Sequence, residues 1–234
     1  MPKRLARAEG FFIDDLVGSL LGEEAFDPLT EARPFFSRRV LSHLSAIREA
    51  FSQGGRVLHV CLDGVLKPRV AKSIGAALST APFRRHHHAP YRIDVAPLDV
   101  LPTSTLSRFC AFLGSDEGAA FHQALSGWPP EGHRLTRWQV QVARARRGDE
   151  FPVHVDTNQE GLACVYHFTR GFSEADGGVL SFPHRGRAEL SVAPAFNRLI
   201  LFRPKGAPHG VSRVRAPKGR SRFTVTVFYL YRRR

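Results

Sequence analysis

Apolar residues recur at steps of three and four through the first quarter of the chain. Phe35, Phe36, Val40, Leu41, Leu44, Ile47 and Phe51 form one stripe, which Gly54-Gly55 ends. A stripe with this spacing predicts helices with a packing face, so residues 1–55 are expected to be a mostly helical N-terminal extension. The pattern then changes. Val57–Leu62 is a short apolar run closed by Asp63-Gly64, the signature of a strand, and Pro68–Thr80 returns to helical spacing. Arg84–His88 fits neither period and is expected to be a solvated basic loop. Its contiguous histidines His86, His87 and His88 cannot all face one point on a regular element, which argues against a metal site there. Pro102–Leu113 and Glu117–Gly127 predict two more helices, the first with Leu106, Phe109, Cys110 and Leu113 along one side.

Beyond Trp128-Pro129-Pro130 the pattern is β throughout. Trp138–Ala145, Phe151–Val155, Leu162–Phe168, Val179–Phe182, Ala188–Val192, Arg198–Phe202, Gly210–Val214 and Arg222–Tyr231 are short β-favouring runs separated by Gly, Pro, Asn and Asp turns. Strands at such spacing predict a sandwich, a jelly roll or a closed barrel. The chain is thus expected to be mainly β with N-terminal helices.

Composition narrows the class. The chain has 234 residues, 43% hydrophobic and 24% charged, so it can bury a core and is not a disordered segment. Lys and Arg number 34 against 21 Asp and Glu, a net charge of +13. The excess is uneven, for Leu190–Arg234 holds many basic residues and no acidic one. Such asymmetry favours an acidic or nucleic-acid-associated partner at the C-terminal third, with plain solubility as an equal reading. Cys61, Cys110 and Cys164 are odd in number and lie among apolar neighbours, which predicts buried, reduced thiols and a cytoplasmic location. Asp14 and Asp15 interrupt the only early apolar run, so no signal-peptide core is expected, and no uncharged apolar stretch is long enough to span a membrane.

Candidate chemistry lies in the β half. His154-Val155-Asp156 puts an imidazole and a carboxylate two residues apart, and the strand period of two turns both to one face. His209, in Pro208-His209-Gly210-Val211, follows a predicted strand and can complete the set in an eight-stranded fold. Two imidazoles and one carboxylate on one side of an octahedral ion leave three positions open, the facial triad of non-haem Fe(II) oxygenases. A dicarboxylate such as 2-oxoglutarate would also need a cation for its far end. Arg222 suits that role, because it opens an apolar last strand on which Arg222, Thr224, Thr226 and Phe228 share a face, and Thr226 can add a further hydrogen bond.

From about Val57 to Tyr231 the sequence resembles the Fe(II)- and 2-oxoglutarate-dependent dioxygenases, in their prolyl-hydroxylase-like branch. The segment 141–156 is similar to the family's strand, glycine turn and H-x-D motif. Leu162–Phe168 resembles its next strand, Gly177-Gly178-Val-Leu its Gly-Gly-x-Leu element, and Asn197–Phe202, His209-Gly-Val and Arg222–Tyr229 complete the order. The resemblance implies a double-stranded β-helix (jelly-roll, cupin-like) core at 135–231, with helical support at 68–127, inside a catalytic domain at 56–234. It implies His154, Asp156 and His209 as iron ligands, Arg222 as partner of the 2-oxoglutarate C5 carboxylate, and Fe(II), 2-oxoglutarate, O2 and optionally ascorbate as cofactors and co-substrates. A tyrosine hydroxyl that meets the same carboxylate in oxygen-sensing prolyl hydroxylases corresponds here to His167, next to Tyr166, and both are candidates for that contact. Val165, Leu180, Val211 and Phe228 fall where the family lines its pocket. The implied reaction couples oxidative decarboxylation of 2-oxoglutarate to hydroxylation of an unactivated C–H, with a prolyl or other side chain of a protein or peptide as the first substrate reading. A free amino acid or natural product is the alternative substrate, and a non-catalytic cupin-like metal-binding module the alternative function.

Overall fold

The period of two sorts the central strands of the large sheet in the C-terminal half into a face that packs on helices and a face that turns inward. The computed structural model describes residues 27–88, 91–156, 160–184 and 187–234. Six helices support the fold, α1 (Pro28–Ala32), α2 (Arg38–Ser42), α3 (Leu44–Ser52), α4 (Pro68–Thr80), α5 (Thr105–Leu113) and α6 (Asp116–Ser126). The strands are β1 (His59–Asp63), β2 (Arg84–His88), β3 (Tyr91–Ala96), β4 (His133–Ala145), β5 (Phe151–His154), β6 (Glu160–Phe168), β7 (Leu180–His184), β8 (Arg187–Val192), β9 (Phe196–Phe202), β10 (His209–Val211) and β11 (Arg222–Arg233). A seven-stranded sheet runs β1-β9-β6-β11-β4-β3-β2, and a four-stranded sheet runs β5-β10-β7-β8, with antiparallel pairing throughout. This is the double-stranded β-helix.

Leu162, Cys164 and Tyr166 of β6, Leu199 and Leu201 of β9, and Val225, Val227 and Tyr229 of β11 face the helices and share a core with Phe36, Phe109 and Phe121. The Phe36 and Phe121 rings lie 4.2 Å apart, and Phe109 meets Tyr166 edge-on at 5.1 Å. Each such fully buried ring contributes on the order of 2–3 kcal/mol. The helices end where side chains satisfy their open backbone groups. Ser115 Oγ accepts from Gly118 N–H at 3.1 Å to start α6, and Gly127, at φ 66°, stops it in the left-handed conformation. Residues alternating with these on β6, β9 and β11 build a second core between the sheets, with Ala163, Ile200, Phe202, Leu180, Phe182 and Val192.

Several expectations change. Arg84–His88 is a strand, not a loop, because it closes a hairpin with β3 at the sheet's edge, where a polar strand loses no burial. Helices α1–α3 bring Phe36, Val40, Ile47 and Phe51 into the same core as the sheet, and residues 1–26 of the expected N-terminal extension lie outside the described residues. Cys110 and Cys164 are buried free thiols as expected, but Cys61 is exposed because β1 is an edge strand. No described helix is long and apolar enough to cross a membrane.

Candidate metal centre

β5 and β10 set the site. They pair antiparallel with His154 directly opposite His209, and the chain carries Asp156 two residues further, back to the same side. Gly210 makes the close approach feasible, for a Cβ there would lie 2.8 Å from the Phe151 carbonyl oxygen and 3.1 Å from the Val153 nitrogen. His154 Nε2 lies 2.9 Å from Asp156 Oδ1, and His209 Nε2 lies 3.2 Å from Asp156 Oδ2. The ligand atoms of the three residues all fall within 4.8 Å of one another.

Hydrogen bonds decide which nitrogens face the centre. His154 Nδ1 is 2.8 Å from the Pro152 carbonyl and His209 Nδ1 is 2.9 Å from the Ala207 carbonyl. A carbonyl can only accept, so each Nδ1 carries a proton, and each Nε2 is directed at the Asp156 carboxylate. Neutral imidazoles would then oppose lone pair to lone pair, an arrangement that is favourable only with positive charge between them. Burial pulls the His154 pKa down, but the Asp156 hydrogen bond, the Pro152 carbonyl and the Asp156 charge outweigh it and hold it above the usual range. Burial raises that of Asp156, and the two histidines more than offset this, leaving it far below the ordinary carboxylate range. Two imidazoles and a carboxylate thus converge as a cation site with the donor set of a facial triad. Phe182 and Phe202 pack on the His209 ring, with centroids 5.7 and 5.1 Å away, and close its inner side.

A second polar feature lies deeper between the sheets. Arg222, at the start of β11, is 5% exposed, and no carboxylate pairs with it among the described residues. Its Nε has no partner. Burial holds its pKa down to about 10. His167 on β6 is fully buried with neither ring nitrogen bonded. Burial, then the charges of Arg222 and Arg198, push the His167 pKa well below the usual value, so the ring is neutral. Thr224 faces His167 across the β6–β11 ladder, and Thr226 lies two residues further on the same inward face. Unsatisfied buried donors around an uncompensated guanidinium form a receptor for an anion, and a carboxylate matches them. Gly178, at φ 69°, leaves room for the Arg222 side chain, since a Cβ there would lie 2.9 Å from Arg222 Cδ. Val165, Leu180, Val211 and Phe228 pack in the same inter-sheet core.

Tyr166 does not belong to this pocket. Its neighbours Val165 and His167 point inward, so the strand period turns Tyr166 to the helical side, where its hydroxyl meets His122 Nε2. The basic run at 213–220 is not at the metal end either. Val214 N–H donates to the Asp149 carbonyl and Arg215 N–H to the Asp176 carbonyl, which hold this segment at the opposite end of the barrel, beside the β4–β5 turn.

The family profile of the 2OG-Fe(II) oxygenase superfamily matches residues 140–230, a segment that contains every residue of both polar features. No curated protein matches the sequence. Among solved structures, a prolyl-4-hydroxylase of Pseudomonas putida is similar with a TM-score of 0.62 at 17% identity, over 81% of this chain and 100% of that one. A Trichoplax adhaerens prolyl hydroxylase, in complex with a peptide of hypoxia inducible factor, gives 0.62 at 15% identity over 82% and 92%. A 2OG-Fe(II) oxygenase family oxidoreductase of Burkholderia pseudomallei gives 0.57 at 19% identity over 82% and 90%.

Proposed function

We propose that the chain is a 2OG-Fe(II) oxygenase, a reading supported by the family profile over residues 140–230, and that it hydroxylates a side chain of a protein or peptide, prolyl before any other. Enzymes of this class depend on Fe(II), 2-oxoglutarate and O2. In the proposed reading His154, Asp156 and His209 hold the iron, and Arg222 receives the C5 carboxylate of 2-oxoglutarate, with His167 and Thr226 as hydrogen-bond donors to it. One observation carries the reading: three ligand atoms within 4.8 Å of one another lie in the same inter-sheet space as a buried, uncompensated arginine. The prolyl preference is supported by the similarity to prolyl hydroxylases, one of them peptide-bound.

The bound iron and co-substrate supply the oxidising power that inserts one oxygen atom of O2 while 2-oxoglutarate becomes succinate and CO2. The protein's own residues do the rest. The Pro152 and Ala207 carbonyls fix both imidazoles with Nε2 forward, so the ligands are aligned before metal arrives. Asp156 is anionic at any physiological pH and brings one negative charge to the ion. Arg222 sets how far the co-substrate enters, and the His167 ring can orient either nitrogen toward it. Phe182 and Phe202 keep water from the inner side of the ligand set.

The test has two stages. Equilibrium titration with Fe(II) or Co(II) is expected to give one tight site per chain, abolished by His154→Ala, Asp156→Ala or His209→Ala with the far-UV spectrum unchanged. Succinate release is then measured with peptide pools and with small-molecule pools, and a product one oxygen atom heavier is sought by mass spectrometry. Tight metal binding in His209→Ala would defeat the ligand assignment, and turnover restricted to free amino acids would defeat the polypeptide reading.

A further inference from the structure

The two sheets leave a lateral seam where β1, at the edge of the large sheet, runs past β7 and β8 of the small one. The turn between α3 and β1 fills part of that seam. Arg56 donates to the Pro183 carbonyl at 3.3 Å, and Val57 packs into the inter-sheet core. Gly54 makes so tight a turn feasible, since a Cβ there would lie 2.5 Å from the His59 nitrogen. Beside the turn remains a cavity of about 120 Å³, lined by Gly54, Val57, His59, Phe182 and Leu190. Gly54, His59 and Leu190 are half-buried while Val57 and Phe182 are buried, so the cavity leads from the surface inward.

Its inner wall is also a wall of the metal centre. Phe182 lines the cavity and packs on the His209 ring at 5.7 Å. His59 stands opposite Phe202 across the β1–β9 ladder, and Phe202 packs on the same imidazole at 5.1 Å. The two phenyl rings meet edge-on at 5.0 Å, so one layer of rings stands between the cavity and this ligand. Val57, Phe182 and Leu190 belong to the same apolar cluster as Val165, Val211 and Phe228. Size and polarity then decide what the cavity holds. About 120 Å³ is well below the roughly 300–1,000 Å³ of a site for an organic ligand, which excludes 2-oxoglutarate and any side-chain substrate. A buried water needs two to four polar partners, whereas His59 is the only polar side chain on the wall and its Nδ1 is already 2.8 Å from the Val57 carbonyl. A small apolar gas has no such need and gains by leaving water.

We propose that this cavity is the entry and holding site for O2, which reaches the metal centre from the side of the barrel through the Phe182–Phe202 layer, by a path too narrow for the larger substrates. Rings packed in a core still turn, and their turning passes a diatomic molecule while the apolar layer excludes hydrogen-bonding water. The inference rests on the oxygenase reading above, but gas binding is measured on the metal-free chain, so failure of one is distinct from failure of the other.

The first arm of the test dissolves xenon under pressure over the full chain without metal and follows its methyl NMR signals. The Val57 and Leu190 methyls are expected to shift saturably, and Leu190→Trp, which fills the cavity, is expected to abolish the saturable shift at Val57. The second arm loads the protein with Fe(II) and uses nitric oxide as the diatomic probe, read by stopped-flow absorbance with no turnover. Leu190→Trp is expected to slow association and dissociation together by about fivefold or more with Kd unchanged, because a blocked path alters rates and not the end state. Leu190→Phe, a milder filling, is expected to act in the same direction, and Leu190→Ala to leave the rates unchanged or faster. A merely structural disturbance of the metal centre would change Kd instead. Xenon shifts that never saturate, unchanged nitric oxide rates in both filled variants, or a change confined to Kd would each overturn the proposal.

Discussion

Among the described residues Arg222 is buried without an anion to balance it, and such an uncompensated buried charge calls for a partner. Arg222→Ala is expected to weaken 2-oxoglutarate binding by about 2 kcal/mol or more, some 30-fold, while Arg220→Ala, stacked over the Phe172 ring outside the pocket, leaves it unchanged. Co-substrate titration of both variants checks this, and equal effects would relocate the clamp. His122 carries the second expectation at this scale. Its Nδ1–H donates to the Gly118 carbonyl and its Nε2 accepts from Tyr166, inside the helical core. Burial, against the opposing pull of the Gly118 carbonyl, lowers its pKa to about 4. The unfolded chain, at about 6.5, binds a proton that the folded chain refuses, so stability falls as pH drops from about 6.5 to 4, by up to about 3 kcal/mol. Urea midpoints at pH 7.5 and 5 should show this slope in the native protein, and His122→Gln should flatten it.

Among the elements, the Gly177-Gly178 turn joins backbone shape to the site. Both residues have positive φ, but a Cβ on Gly177 would lie 2.0 Å from the Arg213 carbonyl oxygen, whereas one on Gly178 crowds only the flexible Arg222 side chain, with Val214 Cγ2 at an ordinary 3.5 Å. Gly177→Ala is therefore expected to lower the melting temperature markedly, while Gly178→Ala, at a smaller loss of stability, raises the 2-oxoglutarate requirement by displacing Arg222. The reverse ranking would mean that the turn serves only folding. The same elements explain what could be read from the sequence. The strands of the β half and α4 follow from their hydrophobic periods, and the H-x-D spacing turned two ligands to one face. His209 and Arg222 are legible as residues of suitable chemistry beside or within predicted strands, but no local period shows which distant strands meet, and the family resemblance supplies that pairing. Tyr166 lies next to His167 in sequence, but the strand period turns it to the other face, against His122. The β2–β3 hairpin carries no signal in the sequence, because an edge strand made of Arg and His has no apolar alternation to display.

Across the whole molecule charge divides between the two ends of the barrel. Arg213, Arg215, Lys218 and Arg220 lie at the end away from the metal centre, with Arg213 paired to Glu150. Replacing all four by Gln is expected to leave both the rate and the salt slope of 2-oxoglutarate turnover unchanged, because exposed charges beyond a Debye length of about 8–10 Å are screened from the opening. A shallower slope in the variant would put that end in the substrate's path. Asp94, buried beneath Arg85, Arg144 and Arg146, ties β2, β3 and the end of β4 together there, which suits a rigid base more than a mobile mouth. The order of the large sheet has a consequence for biosynthesis. β11 lies between β6 and β4, so the strand at the middle of the sheet is translated after all the others. Until it leaves the ribosome, β4 and β6 expose the edges it will join, and the arginine proposed to hold the co-substrate is missing with it. A nascent chain therefore cannot become partly active. It must wait, with open edges, for its last strand, and a premature stop before Arg222 should yield insoluble chains without residual activity.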